Sequence, residues 1–364
     1  MLQQKMKSSN ETILYVDLKK LERNYLYFKS LISPTTKIIG VVKAFAYGHG
    51  DIEVSKKLEQ LGVYAIWVSD FEEGVKIRKA GIKSKIIVAN PGTKSYDEIL
   101  KQKLDVVIYN HQLLNLYVNN NNNINIHIKF NTGMNRYGFN KNEIKSVVKK
   151  VLENKHLNLL SICSHLAASD NVLKKGFTTY QLKNFKEIIY DFKKLYPKKF
   201  DSHILNSNGV LNYPEYQCEA IRIGIGLYGS TNSKKLKQIS ILQSIITQVR
   251  EIRAGEGLGY GLSFIAKKNM KIAIVPVGYA DGLNRRFSDN SGAVLINNLE
   301  CQIIGKISMD SMLIDLRTIE AKEGDVVTIF DNKNNILEIA ANLGTIPYEI
   351  LATLNRRIKR VYSD

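Results

Sequence analysis

Short apolar runs alternate with amphipathic stretches through the first two thirds of the chain. Eight runs read as buried strands: Ile38–Val42, Tyr64–Val68, Ile86–Ala89, Val106–Tyr109, Ile124–Phe130, Leu159–Cys163, Ser202–Asn206 and Ile221–Ile223. Between most of them the apolar period is that of a helix. Leu18, Leu21, Tyr25, Phe28 and Ile32 share one helical face, with Asp17 placed to cap it. Ile144, Val147, Val148, Val151 and Leu152 follow the i, i+3, i+4, i+7, i+8 spacing of an amphipathic helix. Leu182, Phe185, Ile189, Phe192 and Leu195 predict a longer one. Eight strand–helix alternations predict a parallel α/β barrel, with function at the carboxyl ends of its strands.

After about residue 236 the period changes. Ile241–Ile252, Lys271–Val277, Gly292–Ile296, Cys301–Ile307 and Asp325–Phe330 are strand-like runs separated by Gly and Asn turns. A helical segment around Ile336–Leu343 precedes a basic tail. The polar stretch Lys234–Lys237 marks the boundary. The expected architecture is therefore α/β: an N-terminal (β/α)8 TIM-like barrel over residues 1–236, then a mostly β C-terminal domain over residues 237–364. The run Asn119–Asn123 reads as a solvated turn before the fifth strand.

Composition narrows the function classes. Of 364 residues, 44% are hydrophobic and 24% charged, which excludes a largely disordered chain. No apolar run has signal-peptide or membrane-helix length, and Cys163, Cys218 and Cys301 are odd in number and far apart. A reduced, cytoplasmic protein without a disulfide framework is expected. The histidines lack metal-ligand spacing, so no metal site is expected. The imbalance of 52 Lys+Arg over 34 Asp+Glu, +18, raises a polyanion as partner. No helix-turn-helix, zinc-finger or RNA-recognition pattern accompanies it, so neither nucleic acid nor membrane is expected as a partner.

Four segments could carry chemistry. A buried strand ends in Lys43, where lost hydration lowers a lysine pKa toward that of a base or a carbonyl-capturing amine. A lysine at a strand end can equally snorkel to solvent, and position alone leaves both readings open. Arg136, in the turn after a strand, offers a planar fork suited to a carboxylate or phenolate. Asn206-Ser-Asn-Gly209 and Arg222-Ile-Gly-Ile-Gly-Leu-Tyr-Gly229 combine a hydroxyl with Gly-flanked N–H groups, as a phosphate cradle does. With a lysine on the first strand of the same barrel, these features point to pyridoxal phosphate.

The motifs together resemble those of the alanine racemases. They are Val41-Val-Lys-Ala-Phe-Ala-Tyr-Gly-His-Gly50, Asn131-Thr-Gly-Met-Asn-Arg136, Ser164-His165, Asn206-Ser207, Arg222-Ile-Gly-Ile225, Gly259-Tyr-Gly261, Gly278-Tyr-Ala-Asp-Gly282, Ser308-Met-Asp310 and Gly344-Thr-Ile-Pro-Tyr-Glu349. Nine segments in family order span nearly the whole chain. The resemblance implies pyridoxal 5′-phosphate as cofactor and interconversion of L- and D-alanine, supplying D-alanine for peptidoglycan. It implies Lys43 as the cofactor-holding lysine and one base, and Tyr260 as the second base, contributed across a homodimer interface. Tyr47, Ser207, Gly224, Ile225 and Tyr348 are implied for the phosphate, with Asn206 beside them, and Arg222 for the pyridine nitrogen. Arg136 is implied for the phenolic oxygen and substrate carboxylate, the Met309 N–H for the same carboxylate, and Tyr279 for the entrance. His165 is implied to sit against the catalytic tyrosine. Lys129 matches a position carbamylated in some members, and Asp310 a supporting acid.

Four positions depart from the family pattern: Phe45, Asn131, Lys306 and Ser308 stand where Asn, Asp, Arg and Cys are more usual. All flank the implied site rather than form its bases. Lys129 lies in an alternating strand, where a solvent-facing lysine is the plain alternative to a carbamylated one. The competing functions are a racemase of broader specificity, for serine or lysine, and a non-catalytic pyridoxal-phosphate-binding protein.

Overall fold

In the computed structural model, which describes residues 9–288, 291–317 and 319–364, β-branched runs buried on both faces form a parallel sheet. After a first strand β1 (Ile13–Asp17), its strands are β2 (Lys37–Val41), β3 (Ala65–Val68), β4 (Lys85–Val88), β5 (Asp105–Ile108), β6 (Ile124–Lys129), β7 (Leu157–Cys163), β8 (Asp201–His203) and β9 (Ala220–Ile223). The order is β8-β7-β6-β5-β4-β3-β2-β9, every ladder parallel. The Arg222 N–H donates to the Leu205 carbonyl at 3.0 Å, so the last strand returns beside β8 and the barrel is nearly closed. The seventh expected run, Ser202–Asn206, stops early, at His203. The reason is local: the Asn206 side chain accepts the Gly209 N–H and caps the helix Ser207–Asn212 instead.

The covering helices follow the sequence period with one shift. Helix Ile144–Glu153 buries Ile144, Val147, Val148 and Val151. Helix Lys175–Leu195 buries Leu182, Phe185, Ile188 and Phe192, so its seam passes through Ile188 rather than Ile189, and Leu195 is exposed. Asp17 caps the first helix as expected, its carboxylate accepting the Lys20 N–H at 2.9 Å.

The chain divides into two compact units. One holds Glu22–Ala46 and Asp51–Leu227; the other holds Met1–Leu21 (described from residue 9), Tyr47–Gly50 and Tyr228–Asp364. The second unit is a nine-stranded sheet. Its later strands are β10 (Ser240–Ile245), β11 (Gln248–Ile252), β12 (Gly257–Leu258), β13 (Phe264–Ile265), β14 (Met270–Val275), β15 (Ala293–Ile296), β16 (Leu299–Ile304), β17 (Met312–Asp315), β18 (Val326–Phe330) and β19 (Lys359–Ser363). The order is β11-β14-β17-β16-β15-β18-β10-β1-β19, and β12 pairs with β13 as a separate small ribbon. The residues before Asp17 thus serve this sheet, β1 pairing antiparallel with β10 and parallel with β19. Among the described residues no helix is long and apolar enough to cross a membrane.

The basic tail corrects the sequence reading. A run as basic as Arg356–Arg360 suits a solvated face, yet Arg360 is buried within β19. Its guanidinium donates to the carbonyls of Gly48 (3.0 Å), Leu354 (2.9 Å), Asn355 (2.5 Å) and Ile358 (2.6 Å). Asn355 also accepts the Ile358 N–H at 3.2 Å, so the carbonyls of Gly48, Leu354 and Ile358 lean most on this cation. Arg360→Met therefore leaves several acceptors buried and unpaired, and should lower the unfolding free energy by about 3 kcal/mol. A urea-unfolding midpoint equal to wild type would contradict this role.

Candidate active site

Lys43 directly follows β2, at the carboxyl end of the barrel. The Val42 N–H still pairs with the Trp67 carbonyl at 3.0 Å, and the next residues leave the sheet abruptly. Ala44, Phe45, Ala46 and Tyr47 all have φ between 52° and 56°, a left-handed turn built without glycine. Each such residue is strained relative to the right-handed basin. Glu73 braces the turn, accepting the Ala44 N–H at 2.6 Å and the Ser69 N–H at 2.7 Å. The Phe45 ring lies under Lys76 Nζ at 4.7 Å, and Lys76 also pairs with Asp51. Phe45 thus has a packing partner in place of the more usual polar side chain. Lys43 reaches solvent at the rim, but protein surrounds most of its ammonium. Desolvation first, then the charge of Arg136, lower its pKa; Glu73 opposes them and Arg222 adds to them.

Arg222, on β9, is 5% exposed. Its Nη2 donates to the carbonyls of Ser164 (2.6 Å) and Ile204 (3.2 Å) and to His165 Nδ1 (3.2 Å). Its Nη1 donates to the His203 carbonyl at 3.2 Å and to His203 Nδ1. An arginine only donates, so the two histidine nitrogens facing it must be unprotonated. Burial and the charge of Arg222 hold both imidazoles well below their ordinary pKa, and neutral. His165, implied as the neighbour of the catalytic tyrosine, is a neutral ring whose remaining proton sits on Nε2, able to donate a hydrogen bond. Trp67 packs against the Arg222 guanidinium, 5.2 Å from carbon to ring centre, so this core residue also covers a site residue.

Lys129 ends β6 and is half-buried rather than solvent-facing. Desolvation is the largest cause of a pKa lowered to about 8; Cys163 opposes it, and Arg222, Arg136 and Lys43 each lower it by less. Its ammonium lies 5.6 Å from the Tyr137 ring centre, and the Arg136 guanidinium 6.0 Å from the same ring. The loop between them is folded by Asn131. Its Oδ1 accepts the N–H groups of Gly133 and Asn135 (both 3.0 Å), and its Nδ2 donates to Asn135 Oδ1 at 2.9 Å. An aspartate could accept these bonds but not make the last one, which accounts for Asn here. Lys129, Thr132, Met134, Arg136, Ser164 and His165 are among the residues lining a small cavity at this end of the barrel.

Ser207 and the loop after β9 form a second cluster. Ser207 Oγ accepts the N–H groups of Gly224 (3.0 Å) and Gly226 (3.1 Å), leaving its own proton to donate outward. A Cβ on Gly226 would meet the Phe28 ring at 2.4 Å, so the loop closes only with glycine there. Ile225, between these glycines, is buried. Asn206 Oδ1 accepts both the Ser169 hydroxyl and the Gly209 N–H.

The remaining expected residues belong to the second unit. Tyr47 is buried between Tyr228 and Tyr348, with ring centres at 4.8 and 5.9 Å, and burial then Tyr348 raise its pKa. His49, expected as an ordinary loop histidine, is buried, stacks on Tyr228 and bonds Ser240 Oγ at 3.0 Å. Tyr260 is 71% exposed, carried between Gly259 (φ 68°) and Gly261 (φ 70°) on the turn that joins β12 to β13. Gly278 crosses the Ser308–Met309 backbone so closely that a Cβ would meet the Ser308 carbonyl at 2.4 Å. The N–H groups of Tyr279 and Ala280 donate to the carbonyls of Ser308 and Met309. Tyr279, Met309 and Asp310 all face solvent. Ser308 uses its hydroxyl on Ser311, a bond a cysteine makes poorly, and the Lys306 N–H donates to Ser263 Oγ.

A lysine at the end of the first barrel strand, with a buried arginine and a hydroxyl–glycine loop on the last, defines a cofactor-type site on an α/β barrel. Residues 16–232 match the family description "Alanine racemase, N-terminal domain", and residues 239–362 match "Alanine racemase, C-terminal domain". The chain is 35% identical to the alanine racemase of Fusobacterium nucleatum, over 96% of this chain and 99% of that one. Its fold superposes on the alanine racemase of Clostridium difficile 630 with a TM-score of 0.91 at 30% identity, covering 98% and 97% of the two chains. It superposes on the Bartonella henselae alanine racemase with covalently bound pyridoxal phosphate with a TM-score of 0.88 at 26% identity, covering 97% and 100%. The chain belongs to the alanine racemase family, enzymes that isomerise amino acids.

Sequence reasoning missed three residues of the barrel cluster. Glu73 lies on a helix and braces the Lys43 turn from outside its own motif. His203, one of the histidines without metal-ligand spacing, accepts from Arg222. Gln181 joins the His165 carbonyl to Thr132, whose hydroxyl bonds Ser164. Strand alternation carried part of this signal: His127 with Lys129, and Ser161 with Cys163, are i, i+2 pairs that share a face.

The lowered pKa of Lys129 has a defined sign. The unfolded chain keeps that proton to about the ordinary value of 10.5, while the native chain sheds it near 8. Between these pH values the unfolded state binds more protons, so this group makes stability rise with pH. Competitive acylation followed by peptide mass mapping should show Lys129 titrating near pH 8; reactivity that rises only around 10.5 would refute the assignment.

Proposed function

We propose that this chain interconverts L- and D-alanine with pyridoxal 5′-phosphate, using Lys43 and Tyr260 on opposite faces of the substrate Cα and supplying D-alanine for peptidoglycan. The observation that carries the reading is the cluster of Lys43, Arg222 and neutral His165 at the carboxyl ends of the barrel strands. The residues present fit the cofactor. Lys43 has a lowered pKa, Ser207 has a free proton above a glycine loop, and Arg222 is a fixed donor. Lys43 is the residue to hold the aldehyde carbon. Ser207, Gly224 and Ile225, with Asn206 supporting, and Tyr47 and Tyr348 are the residues for the phosphate. Arg222 is the residue for the pyridine nitrogen.

When bound, the cofactor supplies an electron-withdrawing ring that acidifies the substrate Cα–H bond. Racemisation needs a proton removed from one face and another delivered to the other. A single base tends to return the proton where it came from. The lowered pKa of Lys43 favours the neutral amine that can accept a proton at Nζ. Tyr260 Oη is proposed as the group on the opposite face, with the His165 Nε2–H as its hydrogen-bond donor. Arg136 and the Met309 N–H orient the substrate carboxylate, and Tyr279 lines the entrance. Arg222 cannot readily give up a proton, so it leaves the ring nitrogen unprotonated. A weaker electron sink then suppresses transamination. The neutral amine of Lys129 available near pH 8 suits carbamylation, which would orient Arg136; Asp310 has a supporting role.

The exposure of Tyr260 on a projecting turn supports its donation to a partner subunit of a homodimer. The proposed functional division remains a barrel domain of residues 1–236 and a β domain of residues 237–364, in a cytoplasmic enzyme.

Two experiments decide the reading. Purified protein supplied with pyridoxal phosphate and each L-amino acid, followed by chiral chromatography, should yield D-alanine fastest; no D-alanine above a Lys43→Ala control would refute it. Mixing Lys43→Ala and Tyr260→Phe proteins tests the shared site. Equal exchange makes half the dimers hybrid, each with one intact site, and should restore about a quarter of wild-type activity. Activity no higher than the two parents would place both bases in one subunit.

A further inference from the structure

The interior of a parallel barrel is ordinarily filled by branched apolar side chains. Here one side of it is a column of polar groups. Asp105, His127, Ser161 and His203 are all buried. Strand alternation stacks them: His127 lies two residues before Lys129 on β6, Ser161 two before Cys163 on β7, and the ladders set His127 beside Ser161. The column starts at Arg222, where His203 Nδ1 accepts from Nη1. His203 Nε2 lies 3.0 Å from Ser161 Oγ, which lies 2.6 Å from His127 Nδ1. His127 Nε2 then faces Asp105 Oδ2 at 3.7 Å, an ion-pair separation beyond hydrogen-bond length, and neither atom has a hydrogen-bond partner. Asp105 Oδ1 accepts from Asn125 Nδ2 at 2.9 Å, and Asn125 Oδ1 accepts from Asn158 Nδ2 at 2.7 Å. Asn158 is exposed near the start of β7, so the column runs from the carboxyl ends of the strands to their amino ends.

Donor chemistry gives the column one direction. Arg222 can only donate, so His203 carries its proton on Nε2 and donates to Ser161. The Ser161 hydroxyl must then donate to His127 Nδ1. That puts the His127 proton on Nε2, aimed at the Asp105 carboxylate. Every proton points from the guanidinium toward the carboxylate. Chains of this kind polarise cooperatively, and the terminal anion makes His203 Nδ1 a stronger acceptor. Among the described residues Arg222 otherwise bonds carbonyls and His165. A carboxylate placed against it would neutralise the cation next to the ring it is proposed to face. A carboxylate at the far end of the barrel holds the cation without competing for that face.

We propose that the Asp105–His127–Ser161–His203 column is a positioning device for Arg222, fixing its guanidinium and supplying its counter-charge from the opposite end of the barrel. The proposal rests on the reading that Arg222 faces the pyridine nitrogen. These residues touch neither substrate nor cofactor; they act through Arg222.

Ser161→Ala removes the central link without adding volume. In the holoenzyme it should lower kcat about tenfold, leave KM for alanine within about twofold, and raise transamination events per racemisation turnover. Ser161→Thr, which keeps the hydroxyl, should restore all three. Asp105→Asn, which keeps volume and removes charge, should shift kcat and the transamination ratio in the same direction. The second readout needs no substrate. In protein labelled with 15N-histidine, and assigned with a His203→Gln variant, wild type should show His203 as a neutral Nε2–H ring with a downfield, slowly exchanging proton. Ser161→Ala should lose that signal. A charged or Nδ1–H His203 in the wild type overturns the proposal. So does a Ser161→Ala enzyme with unchanged kcat, transamination ratio and N–H signal, even if it melts at a lower temperature. A wild type that shows the N–H signal but makes no D-alanine overturns the functional reading and not the column.

Discussion

A guanidinium buried inside a barrel, paired with no adjacent carboxylate, is the constraint around which the site is arranged. Removing a cation from water is costly unless hydrogen bonds replace its hydration. Arg222 meets that demand with carbonyls at the ends of β7 and β8 and with two imidazole nitrogens. The solution dictates the state of its neighbours. Both histidines must be neutral and must turn a lone pair toward the arginine, which fixes their remaining protons on the far side of each ring. A buried charge therefore sets two tautomers, and each aims one donor in a defined direction: His203 into the barrel core, His165 away from it.

The same charge reaches the lysines. Lys43 and Lys129 both lose hydration, and both feel Arg136 and Arg222. Burial alone would lower either pKa; the cluster adds to it. Both effects favour the neutral amine without a dedicated base beside it. The left-handed turn after Lys43 belongs to the same logic. Four consecutive non-glycine residues in a disfavoured basin persist only if the surroundings hold them. Glu73 does so by accepting one N–H from the turn and one from the end of the next strand. Its carboxylate also tempers the fall in the Lys43 pKa, so one side chain sets both the path of the backbone and part of the electrostatics.

Much of the fold was legible because it rests on short-range pattern. Seven of the eight expected barrel runs lie within two residues of an observed strand, since a strand buried on both faces has to be apolar along its length. The remaining one, Ser202–Asn206, overran because Asn206 spends its side chain on a helix cap, a local competition that apolar period does not register. β1 and β19 were missed for a different reason. β1 lies between β10 and β19, and β19 pairs with β1, all far apart in sequence, and β19 is basic in part because its Arg360 is a buried structural cation. Motif residues such as Lys43, Arg136 and Arg222 could be picked out from residue type and resemblance. Glu73, His203 and the polar column could not. Their roles exist only where segments from separate parts of the sequence meet: a helix against the Lys43 turn for Glu73, stacked inward strand faces for the others. The i, i+2 spacing of His127 and Lys129 marked a shared face, but not what that face would meet.

The net charge of +18 can now be divided into two parts of different meaning. Lysines such as Lys174, Lys175, Lys267 and Lys268 are exposed, which is the behaviour of a solvated surface. Lys43, Lys129, Arg136 and Arg222 are different: the two arginines lower the pKa of both lysines within one end of the barrel, with Glu73 the carboxylate that offsets Lys43. Like charges gathered in a partly desolvated space repel, and the repulsion is reversed in sign by any anionic group bound among them. A ligand carrying a phosphate and a carboxylate is therefore favoured by the removal of a repulsion as well as by the hydrogen bonds it makes. Because such a ligand binds the folded state alone, that gain adds to the stability of the barrel by mass action. The number that first pointed to a polyanion thus contains a small local excess whose geometry suits a small dianion, while the larger remainder coats the surface.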